Sequence, residues 1–133
     1  MEYNVYANIH NDEWSVFVEY NNQLISVTGK EKQTTSSRIE LQSLLEILQF
    51  LRNWITEPAT FIIYINSQYC ISCLDRWIPV WIKKGFRISN SANMRPNSDL
   101  LVKLHSFNQC MNITLIQHYD HYEKYTSYFN HVK

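Results

Sequence analysis

The sequence has no hydrophobic run long enough to cross a membrane. A transmembrane helix needs about 18 or more consecutive apolar residues, and polar or charged residues interrupt every apolar stretch well before that length. The first residues, Met1-Glu2-Tyr3-Asn4, also lack the basic and then apolar layout of a secretory signal. We therefore expect an intracellular protein, in the cytoplasm or the nucleus, that is not secreted and has no membrane partner.

Cysteine is scarce, and its three copies do not form the pattern of a disulfide-rich or zinc-binding protein. Cys70, Cys73 and Cys110 are an odd number, which fits a reducing compartment. Cys70 and Cys73 could form half of a metal site or a redox pair, but no second Cys or His pair stands at zinc spacing. Their spacing also suits one turn of a buried helix, which we favour because free cysteine is among the most buried residue types. No cofactor is predicted.

Net charge is absent as well, because 12 Lys and Arg balance 12 Asp and Glu. The net charge of the chain as a whole therefore does not indicate nucleic-acid binding. The distribution is uneven, however, since six basic residues stand against one acid, Asp99, in a single stretch. The six are Arg76, Lys83, Lys84, Arg87, Arg95 and Lys103. Glycine is rare, at 2 residues, while the hydrophobic share of 45% is ordinary for one globular domain, expected over residues 1–133.

The first half of the chain predicts three strands followed by a helix. Alternating and continuous apolar residues indicate strands at Glu2–His10, Trp14–Tyr20 and Gln23–Thr28, joined by tight turns into an antiparallel meander. Ser36 or Ser37 is expected to cap the helix that follows, with Glu40 at the spacing of a capping box. This helix carries leucines at helical spacing, namely Leu41, Leu44, Leu45, Leu48 and Leu51.

The second half alternates strands and helices. The predicted elements are a central strand at Phe61–Ile65, helices at Ser67–Trp77, Val80–Lys84 and Ser98–Phe107, a strand at Met111–Gln117 and a helix at Tyr119–Val132. Gly85 is expected to end the second of these helices. The order βββαβαααβα predicts an α/β (α+β) fold, with a five-stranded mixed sheet and helices on both faces.

Four segments resemble the ribonuclease H family, and they occur in the family's order. Thr34–Leu41 resembles the family's Thr-x-Asn-Asn-Arg-x-Glu-Leu, and Ile65–Tyr69 resembles its Thr-Asp-Ser-Gln-Tyr stretch with Asn66 in place of Asp. Trp77–Phe86 is similar to Trp-Ile-x-x-Trp-x-x-x-Gly-Trp, and Asn97–Leu100 is similar to Asn-x-Asp-Leu. The resemblance covers nearly the whole chain, is strongest over residues 34–104, and implies the ribonuclease H-like fold.

The resemblance also implies where the family's chemistry would sit. The family cuts the RNA strand of an RNA–DNA hybrid with four carboxylates that hold two Mg²⁺ ions. These four positions fall on Asn8, Glu40, Asn66 and Tyr128, and the family's proton-shuttling histidine falls on His118. Only Glu40 is a carboxylate, and an amide is a poor ligand for Mg²⁺. We therefore predict a catalytically inactive member of the family, a pseudoenzyme with no bound metal.

The sequence retains more of the residues with which the family contacts nucleic acid than of the family's catalytic residues. The positions implied for binding the hybrid backbone are Ser37, Arg38, Trp81, Lys83, Lys84 and Arg87. Phosphate contacts supply affinity without any need for catalysis. The favoured hypothesis is therefore a protein that binds an RNA–DNA hybrid or a duplex without cleaving it.

Two other functions stay open. A scaffold for a protein partner or a homodimer is favoured by the neutral net charge and by the tyrosine-rich segment that begins at Tyr119, since tyrosine is enriched at interfaces. A residual nuclease would need a metal cluster rebuilt from Glu40, from Asp120 or Glu123, and from histidines.

Some candidate residues also have ordinary structural interpretations. His10, His118 and His121 could form a transition-metal site, because imidazole suits Zn²⁺, but their spacing does not demand one. His118 could simply be a hydrogen-bonded residue at a strand end. Glu40 could do no more than cap its own helix.

Overall fold

A five-stranded mixed sheet forms the centre of the protein. The computed structural model describes residues 1–20, 23–32, 35–87 and 93–118. The strands are β1 (Glu2–His10), β2 (Glu13–Tyr20), β3 (Gln23–Lys30), β4 (Thr60–Ile65) and β5 (Asn112–Gln117), in the order β3-β2-β1-β4-β5. The first three strands pair antiparallel, whereas β4 runs parallel to β1 and β5 runs parallel to β4. The predicted mixed sheet is confirmed.

Helices occupy the connections that the sequence predicted. They are α1 (Ser36–Trp54), α2 (Gln68–Ser72), α3 (Ile78–Trp81) and α4 (Ser98–Cys110). A π-helical turn over Cys73–Trp77 joins α2 to α3, so the single helix expected there is divided, and a 3₁₀ turn over Ile82–Lys84 follows α3. The predicted final helix, Tyr119–Val132, lies outside the described residues. None of the helices in the ranges given above is long and apolar enough to cross a membrane.

The start of α1 differs from its prediction. Thr35 is the N-cap, and its hydroxyl accepts a hydrogen bond of 3.3 Å from the backbone N–H of Arg38. The expected cap at Ser36 or Ser37 is therefore wrong, because Ser36 is already the first helical residue and Thr35 has the extended backbone of a capping position. The apolar face of α1 is as predicted, and its five leucines are buried.

One face of the sheet and the helices enclose a continuous core. Val5 and Ala7 of β1, Val16 of β2, and Ile63 and Ile65 of β4 have no exposed surface. Their alternation along the strands places all five on the same face, which is the face that α1 covers. Since β1, β4 and β5 run in the same direction, their carboxyl ends lie at one edge of the sheet.

The two inner cysteines belong to this core. Cys70 and Cys73 are fully buried free thiols. Burial raises the pKa of Cys70 far above its usual range and raises the pKa of Cys73 to about 11. Both groups are therefore neutral and unreactive at physiological pH. Their burial agrees with the structural interpretation of their spacing.

Gly29 makes room for a tryptophan on the neighbouring strand. Gly29 of β3 pairs directly with Trp14 of β2, and a β-carbon at position 29 would stand only 2.2 Å from the indole ring. Trp14 is 8% exposed, and its indole N–H donates a hydrogen bond of 3.3 Å to Glu31. Any side chain at position 29 would have to displace the indole from the core.

We expect Gly29→Ala to lower the free energy of unfolding by about 1–3 kcal/mol, since the added methyl group overfills a packed site. Urea denaturation followed by tryptophan fluorescence measures the change. Thr28→Ala is the matched control, because Thr28 is the adjacent and exposed residue of the same strand. Equal stability of the Gly29→Ala variant and the native chain would show that the indole is not held against the backbone of β3.

Candidate functional site

The edge formed by the ends of β1, β4 and β5 collects most of the residues predicted for the site. Asn8 lies near the end of β1, Asn66 follows β4 directly, and His118 follows β5. Because Ala7 pairs with Ile65, the next residues of the two strands, Asn8 and Asn66, are neighbours along the edge. Glu40 reaches the same edge from α1, where it contacts the residue after Asn66.

Asn66 uses both ends of its amide to hold β1. The backbone N–H of Ile9 donates to Asn66 Oδ1, and Asn66 Nδ2 donates to the Ile9 carbonyl oxygen, each at 2.9 Å. The ladder between the strands ends at Ala7 and Ile65, so this amide carries the pairing past the end of β4. A carboxylate could accept from Ile9 but could not donate to it. We call this pair of hydrogen bonds between Asn66 and Ile9 the Asn66 clamp.

Glu40 is held by Ser67 rather than by its own helix. The Ser67 hydroxyl donates to Glu40 Oε1 at 2.9 Å and accepts from the backbone N–H of Cys70 at 3.1 Å. Ser67 is 2% exposed and caps α2. The alternative that Glu40 only caps α1 is wrong, since its carboxylate is bonded to the first turn of α2.

The histidines do not converge within the described part of the chain. His118 donates its backbone N–H to the Ile65 carbonyl oxygen at 3.0 Å, and its ring meets Tyr64 edge-on at 5.9 Å. His10 is exposed at the end of β1, and His121 lies outside the described residues. Over the ranges given above, no group of three or more His, Cys, Asp or Glu residues could hold a metal ion.

The described residues do not fit a site for two Mg²⁺ ions. Glu40 is the one carboxylate at the four positions that the family resemblance implies. The amide oxygen of Asn66 already accepts from Ile9. Tyr128, together with the acids Asp120 and Glu123 of the alternative cluster, lies outside the described residues. One carboxylate and two amides cannot balance the four positive charges of two such ions.

A polar cluster joins the starts of α1 and α4. Arg38 forms a two-pronged ion pair with Asp99, with one hydrogen bond of 2.9 Å, and the guanidinium lowers the pKa of Asp99. Asn97, with a left-handed φ of 63°, donates to Ser37 at 3.3 Å and to the Tyr69 hydroxyl at 3.2 Å. The structure thus brings the predicted Ser37 and Arg38 together with Asn97, which the sequence marked only as the start of its Asn-x-Asp-Leu motif.

The predicted basic residues lie on an exposed segment. Lys83, Lys84 and Arg87 are all exposed, within the stretch Trp81–Arg87 that we call the basic segment. Gly85 ends the 3₁₀ turn in the left-handed conformation, with a φ of 61°, as predicted. Three exposed positive charges therefore lie within five consecutive residues.

Trp81 connects the basic segment to the core. Its ring stacks on Trp77 at 5.3 Å, and the guanidinium of Arg95 lies 4.3 Å from the centroid of the same ring. Trp77 and Trp81 are half-buried against the core. Trp77 and Arg95 both contact the Trp81 ring, and these contacts suit Trp81 to hold the basic segment in place rather than to stack on a base.

Comparisons with known proteins agree on one family. The family model described as RNase H matches residues 6–130. Ribonuclease H of Legionella pneumophila (strain Lens) is 30% identical over 100 residues, which are 71% of this chain and 67% of that protein. Ribonuclease H of Xanthomonas campestris pv. campestris (strain 8004) is 28% identical over 96 residues, 72% of this chain and 61% of that protein. The chain thus spans about three fifths to two thirds of the length of these relatives.

Solved structures show the same fold at low sequence identity. LC9-RNase H1, a type 1 RNase H with the type 2 active-site motif, has a TM-score of 0.70 at 19% identity, covering 90% of this chain and 64% of that one. A foamy viral protease–reverse transcriptase in complex with RNA/DNA hybrid has a TM-score of 0.67 at 14% identity. The match covers 92% of this chain and 18% of that chain. LC11-RNase H1 in complex with RNA/DNA hybrid has a TM-score of 0.58 at 10% identity. The match covers 90% of this chain and 86% of that chain.

The prediction that the chain is a pseudoenzyme and no enzyme is contradicted by these relatives, which are named ribonuclease H. That prediction took the charge of four side chains as a measure of activity. Asn66 has a structural reason to be an amide, the Asn66 clamp, so its identity is not by itself a sign of lost chemistry. The matched span of residues 6–130, the order of the strands and the named relatives show that the chain belongs to the ribonuclease H family.

Proposed function

We propose that the chain binds RNA–DNA hybrids and cleaves their RNA strand, with binding through the basic segment and cleavage dependent on Glu40. The observation that carries this proposal is the exposed basic segment, on a family fold that also keeps Glu40 at the edge of the sheet. Two of the similar structures, the viral reverse transcriptase and LC11-RNase H1, are described as complexes with RNA/DNA hybrid.

Binding follows from the charge and rigidity of the basic segment. Lys83, Lys84 and Arg87 are exposed, and the stack of Trp81 on Trp77 limits how far the segment can move. Cationic side chains displace the counterions of a phosphate backbone, so affinity is sequence-tolerant and falls as salt increases. Because the net charge of the chain is zero, this attraction depends on the local excess of positive charge in the basic segment.

The polar cluster at the start of α1 is the second contact in this proposal. Ser37 and Arg38 stand in the first turn of a 19-residue helix, where the helix dipole favours a phosphate. Arg38 shares its charge with Asp99, so this cluster contributes orientation more than attraction. The alternative partner, a protein or a second copy of the chain, rests on the neutral net charge and on the tyrosine-rich segment that begins at Tyr119, which lies outside the described residues.

Cleavage is assigned to the edge of the sheet because Glu40 is the retained carboxylate there. Glu40 is half-buried and its carboxylate accepts from Ser67, so it stands in a fixed place relative to the ends of β1 and β4. A fixed carboxylate at such an edge can orient or deprotonate an attacking water.

Reversing the charge of the basic segment tests the binding part of the proposal. We expect Lys83→Glu/Lys84→Glu to weaken binding of a fluorescent RNA–DNA hybrid and to reduce the slope of log affinity against log salt by about 2, one for each lost phosphate contact. Fluorescence anisotropy across a salt series measures both. Lys32→Glu/Lys103→Glu is the matched control, since these lysines are exposed and the charge change is equal. Equal affinities of the two double variants would place the binding surface elsewhere.

Removing the charge of Glu40 tests the cleavage part. We expect Glu40→Gln to slow cleavage of the labelled RNA strand by about 100-fold or more, while hybrid affinity stays near native, because the carboxylate acts on the reaction rather than on binding. Gel assays with Mg²⁺ or Mn²⁺ in the buffer measure the rate. Glu46→Gln is the control, as Glu46 is exposed on the same helix and bonded to Gln42. A native chain that binds hybrid but never cuts it would refute cleavage and leave binding intact.

A further inference from the structure

Ser67 is a buried serine whose hydroxyl has two distinct partners. It is 2% exposed, and its single hydroxyl proton is available for one hydrogen bond. The backbone N–H of Cys70 is a donor, so toward Cys70 the Ser67 oxygen accepts, at 3.1 Å. The hydroxyl proton is then directed to Glu40 Oε1, at 2.9 Å. The capping bond therefore leaves the serine proton aimed at the carboxylate.

The backbone around Ser67 is fixed on both sides. Asn66, the preceding residue, is tied to β1 by the Asn66 clamp. On the other side, the Ser67 carbonyl oxygen accepts from Ile71 N–H at 3.3 Å as α2 begins. The backbone that carries the Ser67 side chain is therefore held on both sides, and the bond from the Cys70 N–H holds the hydroxyl oxygen itself.

A second contact holds the backbone of Glu40 to the same turn. The Cys70 thiol donates to the Glu40 carbonyl oxygen at 3.3 Å. The first turn of α2 thus contacts Glu40 at its carboxylate through Ser67 and at its backbone through Cys70. The Cys70 contact holds the backbone from which the Glu40 side chain extends, and the Ser67 contact holds the carboxylate at its end.

We infer that Ser67 is a positioning residue that fixes the orientation of the Glu40 carboxylate, in addition to capping α2. The catalytic consequence rests on the proposed function, because it matters only if Glu40 acts on the hybrid. Without the hydroxyl, the carboxylate is free to turn toward solvent. A misplaced group of this kind costs reaction rate while leaving remote binding contacts intact.

The contact itself is tested without any activity measurement. Ser67→Ala, Glu40→Ala and the double variant form a thermodynamic cycle in urea denaturation. We expect the shift in unfolding midpoint caused by Ser67→Ala to be smaller when Glu40 is already alanine. Ser72→Ala is the matched control, because Ser72 is a buried serine of the same helix that accepts from Gln68 instead. Additive shifts for Ser67→Ala and Glu40→Ala would overturn the inference.

The effect on the reaction is tested with the conservative variant. We expect Ser67→Ala to lower kcat for hybrid cleavage by about 10-fold to 100-fold with KM little changed, and Ser67→Thr, which keeps the hydroxyl, to recover most of the loss. Ser72→Ala should retain native kcat. An unchanged kcat in Ser67→Ala would reduce Ser67 to a helix cap and overturn the positioning role. A native chain without cleavage, combined with a non-additive cycle, would refute the proposed function and uphold the fixed carboxylate.

Discussion

The two hydrogen bonds between the Asn66 amide and the Ile9 backbone are the constraint on which the candidate site depends. Ile9 is 8% exposed, so water could not readily replace the amide as a partner of its backbone N–H and carbonyl oxygen. An unsatisfied buried polar group costs about 1–3 kcal/mol. Asn66 meets both needs at once, because an amide donates from one atom and accepts at the other. The central pair of parallel strands is thereby joined beyond its last regular pairing.

The Asn66 clamp also fixes the position of the residue that follows it, Ser67. Ser67 follows Asn66 without an intervening residue, so its hydroxyl is placed by the same fixed backbone, and it bonds both Glu40 and the first turn of α2. One strand edge, the long helix α1 and the short helix α2 therefore meet at two consecutive side chains. The basic segment is built separately, by the stack of Trp81 with Trp77 and Arg95. The proposed binding surface and the proposed reaction site thus depend on different local structures.

Regular periodicity made most of the fold predictable. The strands and the leucine face of α1 follow from apolar spacing, and Gly85 ends its turn because a left-handed residue is needed there. The π-helical turn was not predictable, since nothing in the spacing of Cys73–Trp77 distinguishes it from an α-helix. Thr35 was missed as the N-cap because serines at the next two positions offer the same chemistry.

The sequence named candidate residues for the site but could not show their contacts. Family motifs located Asn8, Glu40, Asn66 and the lysines, yet the partners of Asn66 and Glu40 stand 57 residues and 27 residues away in the sequence. No local pattern shows contacts at such separations. The error about activity came from the same source, because an amide judged by its charge alone looks like a lost ligand. In the structure the amide has a second use, because it donates to and accepts from the backbone of Ile9.

The most direct measurement is the stability of Asn66→Asp across pH, with EDTA present throughout and the native chain measured at each pH. A neutral carboxyl group can donate to one Ile9 atom and accept from the other, whereas a carboxylate cannot donate. Folding therefore favours the neutral form of the introduced carboxyl group and raises its pKa above the unfolded value of about 3.9. The stability that this group contributes is present below the unfolded pKa and is lost as pH rises through the folded pKa. The account predicts that the variant approaches native stability near about pH 3 and falls below it by about 1–3 kcal/mol at about pH 7. A variant that matches the native chain at every pH would contradict it.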